Sequence, residues 1–268
     1  MSEAPRVLVS IEKNVAHVRL NRADKRNGLD LPMFEALIAA GERVAADATV
    51  RAVVLSGEGR GFCAGLDWAS FLAAGPETSE RLLARDPARS PANVAQRACW
   101  VFREVPVPVI AAVHGAALGG GLQLALAADL RLVAPDAQLS VMEVRYGLVP
   151  DMSATQTLLR LVRPDVAREL MYTGRTLSGE EAVALGLATR VSADPLDEAW
   201  RLARSIAEQS PHAIRAAKRL CDEAPGLDVA AAFRLETDLQ LSLLGSPNQV
   251  EAVQAAMTKR AASFRDPE

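Results

Sequence analysis

Two kinds of group in this chain could act together chemically: backbone amides left free by glycine, and a pair of carboxylates. Gly119, Gly120 and Gly121 stand between a short apolar run and a helix-forming segment, in AAVHGAALGGGLQLAL over residues 111–126. Adjacent glycines cost backbone entropy, so they mark places where a side chain would block close approach or where a positive φ is needed. Glycines that open a helix also leave unpaired N–H groups at the positive end of its dipole. Such a terminus could be half of an oxyanion hole; a glycine turn packed on a neighbouring strand explains the same residues. The carboxylates are Glu143 and Asp151, on either side of an apolar turn in LSVMEVRYGLVPDMSATQTL, residues 139–158. Acids beside Gly and Pro often serve as caps, and Asp151 could cap a helix over residues 152–162.

A second glycine turn lies upstream, in SGEGRGFCAGLDWASF over residues 56–71, directly after the apolar strand RAVVL at residues 51–55. Strand, glycine turn and helix suggest a dinucleotide fingerprint. Phe62 stands where GxGxxG requires its last glycine, however, and no GK[ST] follows. What remains is a turn ending at Gly65, with Asp67 placed to cap a helix from about Trp68.

The elements that position these groups follow from periodicity. Residues 6–13 and 15–20 alternate apolar and polar side chains around Asn14, which predicts two strands and a tight turn. Residues 21–30, NRADKRNGLD, form a polar loop whose cations Arg22, Lys25 and Arg26 are either solvated or available to a phosphate. From Leu31 the pattern is helical, with Phe34, Leu37, Ile38, Gly41 and Val44 on one face and Pro32 near the start. Residues 75–91 lack a sustained period and are expected to be a flexible or weakly helical insertion. A helix is expected over residues 93–104, and buried strands over residues 107–113 and 129–134. Ser178 and Glu181 match a capping box before a helix that stops at Gly186. From Pro195 onward the chain is almost wholly helical, with Ala199, Trp200, Ala203, Ile206 and Ala207 as one stripe and further stripes over residues 228–244 and 246–263. Such stripes imply core or subunit interface.

A chain of 268 residues, half of them hydrophobic, can bury one large core, with or without an appendage. Its net charge of −3 provides no overall basic field for nucleic acid or anionic lipid. Cys63, Cys99 and Cys221 are widely separated and form no metal-type cluster with His17, His114 and His212, so no metal site and a reducing, cytoplasmic setting are expected. With no signal-type start and no run long enough to span a bilayer, a membrane protein is not expected. His114 has no GxSxG partner and is expected to shape its turn.

Taken together, GFCAGLD after a strand, AVHGAALGGG after a strand and the later MEVRYGLVPD resemble the crotonase, or enoyl-CoA hydratase/isomerase, superfamily. The two glycine turns lie about 55 residues apart, and the likeness runs from VRLNRADKRNGLD through the C-terminal helices. The resemblance implies an α/β fold: a spiral of ββα units over residues 1–195 that holds the acyl-CoA site, then a helical region, residues 196–268, that builds a homotrimer or dimer of trimers. It implies that the N–H groups of Leu66 and Gly120 polarise a thioester carbonyl, and that Lys25, Arg26, Ala64, Gly65 and Asp67 lie along the coenzyme A path. Coenzyme A enters as part of the substrate, with no separate cofactor. Hydratases of the family generally use two glutamates. Glu143 matches one, while Gln123 replaces the other with an amide that cannot exchange protons near neutral pH. Dienoyl-CoA isomerases look similar in carrying acids that match Glu143 and Asp151. The expected reaction is therefore double-bond isomerisation, with Glu143 and Asp151 as proton carriers and Gln123 orienting substrate. The alternatives are a hydratase in which Glu143 activates water, and a relative that binds acyl-CoA or RNA without turnover.

Overall fold

Lys13 and Asn14 both take positive φ, 50° and 66°, the backbone of a two-residue hairpin turn. That turn sets the register of β1 (Val7–Glu12) against β2 (Val15–Leu20), which pair antiparallel. The computed structural model describes residues 4–85, 88 and 90–267. The chain continues through α1 (Leu31–Ala46), β3 (Ala52–Gly57), α2 (Trp68–Ala74), α3 (Pro76–Leu83), α4 (Val94–Glu104), β4 (Val109–Val113), β5 (Ala116–Leu118), α5 (Gly120–Ala127), β6 (Leu130–Val133) and β7 (Gln138–Ser140). Then come α6 (Leu158–Leu161), α7 (Pro164–Thr173), α8 (Gly179–Ala184), β8 (Arg190–Val191), α9 (Pro195–Ala207), α10 (Pro211–Glu223), α11 (Val229–Leu243) and α12 (Pro247–Thr258).

Six strands form one sheet in the order β1-β2-β3-β4-β6-β8, parallel after the first pair. Parallel strands must be covered on both faces, and their side chains divide by alternation. Ala16, Val18, Val53, Leu55, Val109, Ala111 and Val113 enter the main core with α1, α4 and α5. Val15, Ala52, Val54, Ile110, Ala112 and Leu132 face Ala199, Ala203 and Ala207 of α9. The predicted stripe on α9 is thus core, and packing of the sheet continues past residue 195. Leu235 and Leu239 of α11 form a separate small cluster with Ala216 of α10.

A shorter second layer supplies the second strand of the expected ββα units, although periodicity alone does not locate its strands. β5 pairs in parallel with β7, and the isolated bridges Leu29–Leu66, Cys63–Ala117 and Leu139–Leu177 extend it. The chain from β3, β4 and β6 enters this layer before passing on to a helix, which gives the fold its repeating ββα spiral. Three-residue strands carry too little pattern to show in sequence. The insertion at residues 75–91 contains α3, while residues 86, 87 and 89 lie outside those described. The helix expected over residues 152–162 is reduced to α6, because Ser153 takes a φ of 73° and breaks the run; Asp151 caps nothing there. Among the described residues no helix is long and apolar enough to cross a membrane.

Asn27 holds the loop of residues 22–28 against the upstream glycine turn. It is fully buried with φ 55°; its Nδ2 donates to the carbonyls of Glu58, Gly61 and Phe62, and its Oδ1 accepts from the Arg22 N–H. The Asn-Gly pair at residues 27–28 was the available signal for a left-handed turn. Asn27→Ala leaves those buried carbonyls without their partner and is expected to destabilise the fold by roughly 1–3 kcal/mol in urea denaturation.

Candidate active site

The two glycine turns meet at the edge of the second layer. Gly65 has φ 84°, and a Cβ there would lie 2.6 Å from the Leu118 carbonyl oxygen and 3.7 Å from the Gly120 nitrogen. Only a glycine permits that approach. Leu29 grips the turn on both sides of Leu66: its N–H donates to the Gly65 carbonyl at 2.8 Å and its carbonyl accepts from Asp67 N–H at 2.9 Å. In a parallel bridge of this kind the intervening residue directs its own N–H away from the partner strand. At Gly119, φ 52° and ψ −121° let the chain turn from β5 into α5 while its N–H donates to the Ser140 carbonyl. Gly120 therefore begins the helix with its N–H at the positive dipole end. Among the described residues no carbonyl accepts from the N–H of Leu66 or of Gly120.

Leu66 and Gly120 both border a cavity of about 630 Å³, which is also lined by Ala64, Gly65, Gln123, Glu143 and Asp151. Glu143 opens a single 3₁₀ turn, Glu143–Tyr146, shortly after β7. Its Oε1 accepts from Gln123 Nε2 at 2.6 Å, while its Oε2 is buried without a hydrogen-bond partner among the described residues. Burial raises the Glu143 pKa above its ordinary value, opposed by the hydrogen bond from Gln123, with the nearby Asp151 charge adding to the rise. Burial likewise raises that of Asp151, although the residue as a whole keeps an exposed edge. Two acids on one cavity whose pKa values are raised by burial hold a proton more readily than free carboxylates and can exchange it.

Gln123 is 1% exposed, and both ends of its amide are engaged. Its Oε1 accepts from the Met152 N–H at 2.8 Å, beside Asp151, and its nitrogen holds Glu143. Gln123 thus ties the two acid-bearing segments to α5 while lining the cavity. The thiols beneath the site are inert: burial pushes Cys63 up to about 12 and Cys99 well above its usual value. No group of three His, Cys, Asp or Glu among the described residues could hold a metal ion.

The family model for enoyl-CoA hydratase/isomerase matches residues 10–267. The chain belongs to the enoyl-CoA hydratase/isomerase family. It is 37% identical over 262 residues to a probable enoyl-CoA hydratase of Mycobacterium tuberculosis, covering 96% of this chain and 99% of that one. It is 32% identical over 266 residues to the mitochondrial Delta(3,5)-Delta(2,4)-dienoyl-CoA isomerase of Homo sapiens, covering 92% of this chain and 77% of that protein. A solved enoyl-CoA hydratase from Bacillus anthracis superposes with a TM-score of 0.88 at 30% identity, over 97% of this chain and 98% of the other. The crotonase fold and enzymatic class expected from the motifs are thereby shown.

Within this hydratase/isomerase chain, Leu66, Gly120, Gln123, Glu143, Asp151, Ala64 and Gly65 share one cavity, and three predicted residues do not reach it. Asp67 is structural. It accepts from the Ser70 N–H and hydroxyl at the start of α2, and from Arg22 at 2.7 Å, contacts that bring its pKa down to about 2. Arg22 is accordingly a half-buried ion-pair partner of Asp67 and Asp30, so it is not free for a phosphate. Lys25 and Arg26 are exposed on the loop, which is tied to the site where the Ala64 N–H donates to the Arg26 carbonyl at 3.0 Å.

The raised Glu143 pKa has a sign in stability. The neutral acid is favoured in the folded state, so its contribution is complete below the unfolded value of about 4.3 and is lost as pH rises through the folded value. Glu143→Gln removes the buried charge and keeps an acceptor for Gln123. It is expected to raise the melting temperature at pH 7 by an amount that vanishes below about pH 4, which a pair of thermal melts would measure; a lower melting temperature at pH 7 would contradict it.

Proposed function

We propose that this protein is an isomerase that moves a double bond in an enoyl- or dienoyl-CoA thioester. The observation that carries this reading is the pairing of Glu143 with Asp151 on one cavity, while the side chain that joins their segments, Gln123, has no proton to exchange. One carboxylate removes a proton from the carbon beside the thioester, and the bond electrons pass through the enolate to the carbonyl oxygen. The amides of Leu66 and Gly120 hold that oxygen, each such donor being worth about 10²–10³ in rate. As the electrons return, the other acid delivers a proton to a carbon further along the chain. No water is consumed. Two acids on one cavity suit this exchange, because one must accept a proton while the other donates one.

In this reading Lys25 and Arg26 meet the nucleotide end of coenzyme A, and Ala64 and Gly65 line the path of the pantetheine. No cofactor beyond the substrate's own coenzyme A takes part. The enzyme is cytoplasmic and forms a homotrimer or dimer of trimers through its C-terminal helices. In the single chain Phe233, Leu241 and Met257 are 61%, 64% and 80% exposed on α11 and α12, which supports such an assembly.

A hydratase is the second reading. It is favoured by the buried, unpartnered Oε2 of Glu143, which could bind the attacking water, and by relatives named as hydratases. Purified protein given 3-enoyl-CoA or 3,5-dienoyl-CoA should form the conjugated product, with solvent deuterium entering at the carbons that exchange. Crotonyl-CoA should be hydrated much more slowly. Asp151→Asn should cut isomerisation by about 10²–10⁴; unchanged isomerisation in that variant, or crotonyl-CoA hydration as the faster reaction, would favour the hydratase. The kcat/KM profile of the wild type should be bell-shaped, with both limbs above the ordinary carboxylate range of about 3.9–4.3.

A further inference from the structure

Beside the candidate reacting groups, the cavity lining includes a hydrocarbon cluster. Phe34, Phe71, Leu82 and Ala95 come from α1, α2, α3 and α4 to line it. Phe34, Leu82 and Ala95 are at most 6% exposed, and Phe71 stands edge-on to Phe34 with ring centroids 6.4 Å apart. Among the described residues that line the cavity there is no Lys, Arg or His. A carboxylate at the far end of an acyl tail would lose its hydration there and gain no cation in return. A butyryl tail would leave much of this surface uncovered, since cavities of about 300–1,000 Å³ enclose whole drug-sized ligands.

The rim is aromatic. Trp68, the first residue of α2, faces Tyr146, in the turn that carries Glu143, with ring centroids 5.1 Å apart and planes tilted by 36°. Trp68 lies just beyond Leu66, and Tyr146 just beyond Glu143. The ring pair therefore joins the amide side of the site to the acid side across the cavity that both rings line. Both remain accessible, at 36% and 53% exposure, so an entering tail can displace or be covered by them.

We propose that this cavity selects an unsubstituted hydrocarbon acyl group longer than butyryl, and that Trp68 and Tyr146 are the specificity-determining pair that closes over it. The inference rests on the assignment of the site to acyl-CoA thioesters and adds the nature of the tail. Aromatic faces pack well against a flat, conjugated or extended chain, and each buried methylene adds to affinity.

Saturated acyl-CoAs separate tail recognition from turnover, because they carry no double bond to move. Across butyryl-, hexanoyl-, octanoyl- and decanoyl-CoA, calorimetric affinity should rise roughly fourfold per methylene until the cavity is full. Succinyl-CoA should bind more weakly than butyryl-CoA. Octanoyl-CoA should change the tryptophan fluorescence, and Trp68→Phe should remove that change although Trp100 and Trp200 remain. Trp68→Ala and Tyr146→Ala should each reduce the preference for octanoyl- over butyryl-CoA by roughly three- to tenfold. Affinity independent of chain length, succinyl-CoA binding above butyryl-CoA, or no acyl-CoA binding at all would overturn the inference. Length-dependent binding without isomerase turnover would leave it standing and remove the reaction proposed above.

Discussion

Close approach of two backbone segments is the constraint on which the site depends. The turn after β3 and the segment that joins β5 to α5 lie so near that a Cβ at Gly121 would fall 2.2 Å from the Cys63 carbonyl oxygen. Hydrogen bonds from Phe62 N–H to the His114 carbonyl, Cys63 N–H to the Ala116 carbonyl and Leu118 N–H to the Cys63 carbonyl hold them in register. A single methyl group at this seam would force apart the two turns that bring Leu66 and Gly120 to the same cavity. Leu29 holds the backbone on both sides of Leu66, through Gly65 and Asp67, so the position of that residue is set by main-chain bonds.

The acids are held by a different logic. Burial penalises their charged forms, and in a rigid, purely apolar wall both would simply remain protonated. Gln123 moderates that penalty at Glu143 with one hydrogen bond and fixes the backbone at Met152 with another, so the two acid-bearing loops share one support on α5. Loops of this length have little internal order of their own. A fully buried amide bonded at both ends supplies it.

Much of this was legible in the sequence because glycine and proline punctuate it so strongly. The hairpin around Asn14, the start of α1 at Leu31 and the stripe on α9 appear where periodicity and turn residues place them. The triple glycine, Glu143 and Asp151 stood out by type and spacing. What escaped was set by tertiary contact. The short strands β5 and β7 depend on pairing with each other and with neighbouring segments, and the helix expected after Asp151 is broken at Ser153, next to the Met152 N–H held by Gln123. Asp67 has the residue type and position of a ligand contact, but its pairing with Arg22, from a loop far back in the chain, is invisible in one dimension.

Convergence of the Leu66 and Gly120 amides on one substrate oxygen is the central claim. Isotope-edited infrared spectroscopy of an acyl-CoA labelled with ¹³C at the thioester carbon reads it directly in the bound state. Two donors fixed on the oxygen should shift the carbonyl stretch to lower frequency than in free acyl-CoA, and Gly120→Pro, which removes one N–H, should reverse much of that shift in any fraction that folds and binds. A bound thioester whose carbonyl absorbs at its free-solution frequency in the wild type would contradict the account.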